Sequence, residues 1–361
     1  MLRIEMMPAE YGDCIWIEYG KPQGRTYRVL IDGGLAECGK LLRKRIKALP
    51  PGERRFDLGV VTHIDTDHIN GMINLLRDLP EGCGFDCFWF NGYDQIKPGG
   101  TKGIAQGIEL STLLAGLEAK EKRKFWNKPF RRKAVMLPDT GEPRTVTLRG
   151  GLRMTILGPN SRGISDLFTA WDKVVRESRM VPLPEEAPET YREEEPFPGE
   201  GAETLSVEEL AESDFTQDDS PSNGSSIVLL AEYGEESVLL TGDAFPGDIV
   251  KGIRRILPAG EKLPLTAFKV PHHGSRNNNN NALFDAVNCR SYMVSTNGKK
   301  HGHPDREGIA RILVHGTGDT ALYFNYSHEA NLVWSDDRLQ SDYRYRAYYA
   351  GNGNMKIDLS E

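Results

Sequence analysis

The stretch VVTHIDTDHINGM, residues 60–72, places two histidines and two aspartates within six positions. His63, Asp65, Asp67 and His68 follow an apolar run that is typical of a buried strand. Such groups need a partner there, because an unpaired carboxylate is costly to bury. Imidazole and carboxylate groups together are ligands for Zn²⁺ or Mn²⁺. The stretch therefore predicts a metal site.

Three later segments end strands in a similar way. Asp32 in IDGG, Asp243 in LLTGD, and His272 with His273 in KVPHHGS each follow an apolar run and stand beside small residues. Ligands on rigid strand ends that meet at one sheet edge form a preorganised metal site. We therefore expect these side chains to lie close to the first group.

The combined set predicts a site for two divalent ions, Zn²⁺ or Mn²⁺. His63 and Asp65 are the predicted ligands of the first ion. The second is expected to be held by Asp67, His68 and His273. Asp243 is predicted to bridge the two ions.

Four motifs, THIDTDH, LTGD, KVPHHGS and HGHP, resemble those of the metallo-β-lactamase superfamily. Within it they are most similar to the hydrolase domain of the DNA-uptake channel protein ComEC. The early segment EYGDCIWIEYG also resembles a strand of those domains. The similarity covers residues 1–315 apart from an acidic insertion. It implies an α/β fold of the αββα sandwich type, a dinuclear metal site at the sheet edges, and hydrolysis of phosphodiester bonds in nucleic acid.

The resemblance also implies roles for individual residues. Aspartate at position 65, where the superfamily has histidine, is typical of the ComEC-like branch. Asn223 stands where the superfamily has a third-motif histidine, which implies a weak or water-mediated ligand. His273 precedes Ser275 by two residues, as in the H-x-S pattern, and is favoured as the ligand over His272; the reverse assignment stays open.

The remaining site residues surround the metal ligands. Asp32 is expected to orient a ligand histidine. Asp67 and His272 are predicted to take part in catalysis. His303 of the HGHP motif is predicted to contact the scissile phosphate or to protonate the leaving oxygen. Lys299 and Lys300 are candidate phosphate contacts.

The charge of the 361-residue chain is unevenly distributed. The net charge is −7, but residues 185–219 hold fourteen acidic residues against one base, Arg192. The rest of the chain is therefore mildly basic. This acidic segment is rich in Glu, Pro and Ser, and we predict a flexible acidic insertion over residues 183–222. A tethered polyanion could compete with nucleic acid for a basic groove, and its cleavage by a partner protease could then activate the protein.

A basic block at residues 120–133 carries eight bases against Glu121. Basic residues with interleaved aromatic side chains can follow a nucleic-acid backbone and stack its bases. Under this interpretation Lys128, Arg131 and Arg132 contact substrate. The alternative is a solvated helix end whose aromatic residues pack in the core. The helix itself is predicted over residues 103–124.

The domain prediction is a hydrolase domain over residues 1–315 and a β-rich C-terminal extension over residues 316–361 that packs on it. The sequence shows no secretory leader and no run of 18 apolar residues, and its five cysteines are scattered. We therefore expect a cytoplasmic protein with free thiols and no membrane partner.

The predicted function is a metal-dependent nuclease that uses hydroxide activated by two metal ions, with a role in bacterial defence. One alternative is a small-molecule phosphoesterase or lactonase-type hydrolase of the same fold. Another is a non-catalytic module that binds nucleic acid. The sequence leaves the oligomeric state and the choice between DNA and RNA open.

Overall fold

The computed structural model describes residues 1–96, 105–178 and 206–360. The strands within these ranges are β1 (Leu2–Met6), β2 (Ile15–Tyr19), β3 (Tyr27–Ile31), β4 (Arg55–Phe56), β5 (Leu58–Val60), β6 (Gly84–Phe85), β7 (Phe88–Trp89), β8 (Thr145–Thr147), β9 (Arg153–Gly158), β10 (Val228–Tyr233), β11 (Glu236–Leu240), β12 (Leu263–Leu265), β13 (Ala267–Lys269), β14 (Val287–Cys289), β15 (Ser291–Val294), β16 (Thr320–Phe324), β17 (Tyr345–Tyr349) and β18 (Met355–Asp358). The helices are α1 (Ala36–Ala48), α2 (Thr66–Arg77), α3 (Tyr93–Ile96), α4 (Ala105–Glu121), α5 (Ser161–Ser178), α6 (Val207–Ala211), α7 (Pro246–Ile253), α8 (Asn281–Asp285), α9 (Arg306–His315), α10 (Glu329–Leu332) and α11 (Asp337–Asp342).

Two large mixed sheets form the centre of the molecule. The first has the order β18-β1-β2-β3-β5-β7, and the second has the order β17-β16-β15-β13-β11-β10-β9-β8. β3, β5 and β7 are mutually parallel, as are β11, β13, β15, β16 and β17. The carboxyl ends of each parallel set therefore lie along one edge of its sheet.

The side chains along each strand alternate between two faces, and one of these faces forms the core between the two sheets. In β2, Ile15 and Ile17 join the cluster that contains residues of both sheets, whereas Trp16 between them joins a separate cluster with the helices. Successive side chains of a strand point to opposite faces, so one face packs on the other sheet and one on helices.

Helices cover the outer face of each sheet. On the first sheet the covering residues come from α1, α2, α4 and α5, and they pack with Trp16 and Leu30 of the sheet. On the second sheet they come from α7, α8 and α9, and they pack with Leu239 and Phe268. These layers form the αββα sandwich expected from the resemblance.

Residues 316–361 were predicted to form a β-rich C-terminal extension that packs on the hydrolase domain. In the structure, β16 and β17 are the outer strands of the second sheet, and β18 pairs with β1 at the edge of the first. The described part of this segment therefore contributes strands to both sheets. None of the helices in the three described ranges combines the length and the apolar character needed to cross a bilayer.

Candidate metal centre

The predicted ligands converge at one edge of the sandwich. His63 lies in the loop after β5, and Asp67 and His68 lie on the first turn of α2. Asp243 lies between β11 and α7, and His273 lies in the turn after β13. Because these strand ends meet along one edge, five side chains from three chain segments share one site.

Glycines allow these segments to approach closely. A Cβ atom at Gly12 would overlap the carbonyl oxygen of Asp67, and one at Gly71 would overlap that of Gly33. Larger residues at Gly12 or Gly71 would push α2 away from the first sheet. The small residues around the motifs thus set the position of α2 and of the ligands on its first turn.

A hydrogen bond at Nδ1 fixes each of three imidazoles. His63 Nδ1 lies 3.0 Å from Thr62 Oγ1, and His68 Nδ1 lies 2.9 Å from Asp32 Oδ2. His273 Nδ1 donates to the carbonyl oxygen of Ser295 at 2.8 Å. In each ring this leaves Nε2 as the atom that faces the cluster, which is how outer partners orient metal-ligating histidines.

Asp32 serves this purpose through both carboxylate oxygens. Its Oδ1 accepts from the Thr62 backbone N–H at 2.7 Å, and its Oδ2 accepts from the Thr62 hydroxyl at 2.7 Å as well as contacting His68. The carboxylate is buried, and these contacts tie it to the end of β5 and to α2. Asp32 therefore contacts His68 at Nδ1, the ring atom that does not face the cluster.

The inward-facing atoms lack partners. Nε2 of His63, His68 and His273 and Oδ1 of Asp243 are buried and have no hydrogen-bond partner. Asp243 Oδ2 lies 3.7, 3.4 and 3.8 Å from the three Nε2 atoms in the same order. Two donors bound about 2.1 Å from one tetrahedral ion are about 3.4 Å apart. The spacing and the unpaired atoms therefore fit divalent cations.

Three overlapping groups within the described residues could each hold an ion. The two that contain the unpaired Nε2 atoms are His63, His68 and Asp243, and Asp67, His68 and His273. In the third, Asp13, Asp32 and His68, the carboxylates already pair with Lys269 and Thr62. Asp67 Oδ2 lies 3.5 Å from His273 Nε2 and 3.8 Å from His68 Nε2. His68 thus contacts both groups, whereas the sequence prediction gave it to the second ion and made Asp243 the bridge.

The carboxylates and imidazoles of the cluster complement each other in charge. Burial alone would raise the pKa of Asp243, but His68, His272 and His273 hold that pKa well below its usual range. Burial alone would lower the pKa of His68, but Asp243, Asp32 and Asp67 hold it well above its usual range. A cation that binds here must therefore displace protons from the imidazoles.

The adjacent histidines of the HHGS turn occupy different environments. His273 is buried, and its Nε2 is unpaired. His272 lines the open cleft, its Nδ1 lies 2.8 Å from Asn278 Oδ1, and its Nε2 lies 3.8 Å from Asp243 Oδ2. Both backbones are left-handed, with φ of 47° and 54°. Such strain, which costs about 1–3 kcal/mol per residue, is typical of functional turns. The environment of His273 suits a ligand, and that of His272 suits a contact with substrate.

The other predicted first-ion ligands are Asp65 and Asn223. Asp65 precedes α2, and its Oδ2 lies 3.6 Å from His63 Nε2. Asn223 is buried, and its Oδ1 has no hydrogen-bond partner. Both residues therefore carry oxygen atoms suited to complete a coordination shell.

Two further carboxylates contact the site and were not assigned roles from the sequence. Asp13 Oδ1 lies 3.6 Å from His273 Nδ1, and Asp13 Oδ2 forms a buried ion pair with Lys269 at 2.7 Å. Asp218 Oδ2 lies 3.5 Å from His272 Nδ1. The sequence contains an indication for Asp13, because this residue belongs to the EYGDCIW segment on which the resemblance partly rests. It contains no such indication for Asp218.

A cleft of about 430 Å³ opens above the cluster. Its floor includes Asp65, Asp67, Asp243 and His272. Ile64, Leu167, Ala170 and Trp171 form its apolar wall, and Lys300 and His301 lie at its rim. A cleft of this size encloses a group comparable to a small ligand, so only part of a polymer would enter it.

Of the HGHP motif, His301 lines this cleft, whereas His303 is not among the lining residues. The ring of His303 lies 5.3 Å from that of His272, and burial lowers the pKa of His303. Lys300 lines the cleft with its ammonium 5.0 Å from the Tyr11 ring, whereas Lys299 is exposed on the same loop and is not among the lining residues. Lys300 is therefore the better placed of the two lysines for contact with a bound phosphate.

The basic block differs from the nucleic-acid platform predicted for it. Phe125, Trp126 and Phe130 are buried, so their rings are not available to stack bases. Arg132 pairs with both carboxylate oxygens of Glu118 at 2.8 Å. The stacking interpretation is therefore wrong, and the alternative of aromatic residues packed in the core is correct. Arg132 is engaged in a structural ion pair.

Lys128 and Arg131 of the block are exposed. Neither belongs to the residues that line the cleft. Their predicted contact with substrate therefore requires a polymer that extends beyond the cleft.

The predicted acidic insertion is only partly described. Residues 183–205, on which most of the inhibitory and protease-sensitive prediction falls, lie outside the described residues. The part from residue 206 to residue 222 is folded, because α6 buries Val207 and Ala211 in the cluster that covers the second sheet. Flexibility of the insertion remains a prediction.

Comparisons with known proteins give little further information. No protein-family profile and no curated protein matches the chain. Among solved structures the chain is similar to CmlA, a diiron β-hydroxylase from Streptomyces venezuelae, with 12% identity, a TM-score of 0.42, and coverage of 99% of this chain and 54% of CmlA. A mutant of the same enzyme gives 11% identity, a TM-score of 0.38, and coverage of 99% and 53%. The chain spans about half the length of these proteins.

Proposed function

We propose that this protein is a metal-dependent hydrolase of the metallo-β-lactamase superfamily, close to its ComEC-like branch, which cleaves phosphodiester bonds in nucleic acid. The observation that carries the proposal is the convergence of unpaired Nε2 atoms of His63, His68 and His273 on Asp243. Buried polar atoms normally have partners, and four unpaired atoms at one point fit a bound cation. The αββα architecture and the order of the motifs support the same assignment.

Two divalent ions bound here would supply Lewis acidity that activates water and stabilises the charge that develops at phosphorus. The side chains of the cleft perform the other tasks. Lys300 at the rim provides a cation for a phosphate oxygen. His272, held at Nδ1 by Asn278, presents Nε2 to the cleft, where it can give a proton to the leaving oxygen.

A specific observation favours a second candidate, a phosphodiesterase of small molecules. The cleft volume of about 430 Å³ lies in the range of small-ligand pockets, and the aromatic side chains of the basic block are buried. A small diester would need the metal cluster and Lys300 but no surface beyond the cleft.

The test compares substrates on one preparation. The purified protein is stripped with a chelator, reloaded with Mn²⁺ or Zn²⁺, and incubated with bis-p-nitrophenyl phosphate, plasmid, single-stranded DNA and RNA. We expect metal-dependent cleavage of the diester and of at least one nucleic acid. Cleavage of the diester alone would favour the small-molecule candidate. Binding of nucleic acid without any hydrolysis would contradict both and favour a binding module.

Asp243→Asn and Asp248→Asn provide the matched pair for this assay. Asp248 lies on α7 and pairs with Lys251 at the surface, so its substitution removes the same charge away from the cluster. We expect hydrolysis to be lost only in Asp243→Asn. Equal activity of the two variants would place the chemistry elsewhere.

A further inference from the structure

The acidic segment delivers one carboxylate to the metal centre. Asp218 Oδ2 accepts hydrogen bonds from Asn223 Nδ2 at 2.7 Å and from Asn278 Nδ2 at 3.0 Å. Its other oxygen, Oδ1, accepts from the backbone N–H of Ser220 at 2.9 Å. The carboxylate thus contacts two amide side chains that border the cluster.

The chain around Asp218 is anchored to the second sheet's helical layer. Arg311 of α9 is buried and donates to the carbonyl oxygens of Ala211 and Ser213. The backbone N–H of Asp218 donates to the carbonyl oxygen of Asn277 at 3.1 Å. Asp218 is therefore held in place by contacts that do not involve the metal ligands.

A carboxylate at this position determines the orientation of both amides. An ionised carboxylate only accepts hydrogen bonds, so Asn223 and Asn278 must each present their nitrogen to it. The amide oxygens then point the other way. Asn223 Oδ1 then points away from Asp218 and is the buried oxygen that has no hydrogen-bond partner. Asn278 Oδ1 becomes the acceptor for His272 Nδ1 at 2.8 Å.

The second consequence concerns His272. Because Asn278 offers an oxygen, His272 must carry its proton on Nδ1, and Nε2 remains the atom that faces Asp243 and the cleft. Asn278 Nδ2 also donates to the backbone carbonyl of Asp243 at 3.0 Å, which fixes the amide from a third side. If the Asn278 amide were turned the other way, its contacts with His272 Nδ1 and with the backbone carbonyl of Asp243 would both be lost.

We propose that Asp218 is a positioning residue that orients Asn223 as an oxygen ligand and His272 as a substrate contact. The inference rests on the proposed function, because it concerns the same metal cluster. It assigns to the described end of the acidic segment a direct part in building the site. Asp218 itself touches neither the ligand atoms of the buried histidines nor the substrate cleft.

The test uses Asp218→Asn, which keeps the size and removes one acceptor. The new amide has two possible orientations. In one, its NH₂ group faces the backbone N–H of Ser220. In the other, it faces the side-chain nitrogens of Asn223 and Asn278. We expect the affinity for Co²⁺, followed by its visible absorption, to fall about 10- to 100-fold, as for other residues that orient metal ligands. The kcat for bis-p-nitrophenyl phosphate should fall while KM changes little.

The matched control is Asp219→Asn, because Asp219 is the exposed neighbour and its substitution changes the charge equally. We expect wild-type Co²⁺ affinity and kcat in this variant. Equal losses in both variants would reveal a general charge effect and overturn the proposal. Wild-type Co²⁺ affinity and kcat in Asp218→Asn would also overturn it.

A swap variant, Asp218→Asn with Asn223→Asp, separates orientation from folding. It restores one carboxylate–amide pair in reverse but leaves Asn278 facing an amide. We expect recovered Co²⁺ affinity and a kcat that stays low. If the metal-free Asp218→Asn variant melts at a lower temperature than the wild type, recovery of Co²⁺ affinity in the swap variant still supports the proposal, and a lack of recovery overturns it. A wild-type protein that binds no Co²⁺ would instead overturn the proposed function and this inference together.

Discussion

The metal cluster and the basic block are both dense groups of charged residues, yet they differ in how their polar atoms are satisfied. In the cluster, the Nε2 atoms of His63, His68 and His273 are buried and unpaired. In the block, Glu118 accepts from the backbone N–H groups of Phe125 and Trp126 and from Arg132. Unpaired buried atoms indicate a ligand, whereas a closed hydrogen-bond network indicates structure.

The electrostatics of the two regions differ in the same sense. Burial alone would raise the pKa of Glu118, but hydrogen bonds from Arg132 and from the backbone of Trp126 lower it to about 2. Its charge is thus satisfied by the protein itself. The carboxylates Asp67 and Asp243 of the cluster face imidazole rings, whose protons a bound cation can replace. The cluster can therefore exchange protons for a cation, and the block cannot.

The largest effect is expected from substitution of the two adjacent histidines, His272 and His273. His273→Ala should lose bound metal and reduce kcat/KM for bis-p-nitrophenyl phosphate by about 10³-fold, since the metal supplies several kcal/mol of transition-state stabilisation. His272→Ala should keep its metal and lose about 10²-fold in kcat, as expected for a general acid. Elemental analysis and steady-state kinetics measure both. A reversed pattern of metal content would exchange the roles of the two histidines.

The second prediction tests whether the block is structural. Glu118→Ala leaves the buried N–H groups of Phe125 and Trp126 without an acceptor, which should cost about 3 kcal/mol of unfolding free energy. Metal content should not change. Urea denaturation measures the loss, and Glu109→Ala is the control because its pair with Arg77 is largely exposed and should contribute less than about 1 kcal/mol. Loss of metal in Glu118→Ala would break the distinction between the regions.

The third prediction concerns pH and the metal-free protein. Burial alone would lower the pKa of His272, but Asp243 and Asp218 raise it to about 9. A raised pKa stabilises the folded state fully below the unfolded pKa of about 6.5, and this contribution is lost as pH rises toward 9. The melting temperature of the metal-free protein should therefore fall over this window. Added metal should weaken the trend, because a cation bound to Asp243 offsets the negative charge that stabilises protonated His272. A melting temperature that rises with pH without metal would contradict the account.

The smallest effect is expected at the exposed part of the block. Replacing Lys128 and Arg131 with Gln should leave metal content and bis-p-nitrophenyl phosphate hydrolysis within about twofold of wild type, because surface charges away from a site contribute little. If a polymer reaches them, nucleic-acid affinity should fall and depend less steeply on salt. Filter binding at several salt concentrations measures this. A loss of small-diester hydrolysis would show that the block belongs to the site.

The sequence was most informative where ligand types follow apolar strands. The motif from His63 to His68, together with Asp243 and His273, identified the segments that meet at the sheet edge. The helix predicted over residues 103–124 is present as Ala105–Glu121. Its end was missed because Lys122 adopts a left-handed backbone, with φ of 50°, that turns the chain back so that Glu118 can accept from residues seven and eight positions later. Spacing along the chain does not reveal such a contact.

Two other features depend on long-range contacts that a local pattern does not encode. Asp218 is one of fourteen acidic residues in a segment with no apolar periodicity, and only the position of Asn278 on another segment distinguishes it. The pairing of β18 with β1 joins the two ends of the chain. A short alternating strand specifies a face but not the strand beside it.

Metal titration of the wild-type protein and of Asp243→Ala tests the central claim most directly. Metal-free protein is titrated with Zn²⁺ or Mn²⁺ by calorimetry in buffers that report proton release. The account predicts two ions per wild-type chain, release of protons from the imidazoles on binding, and at most one ion per chain in Asp243→Ala. Less than one ion per wild-type chain, or two ions in Asp243→Ala, would contradict it.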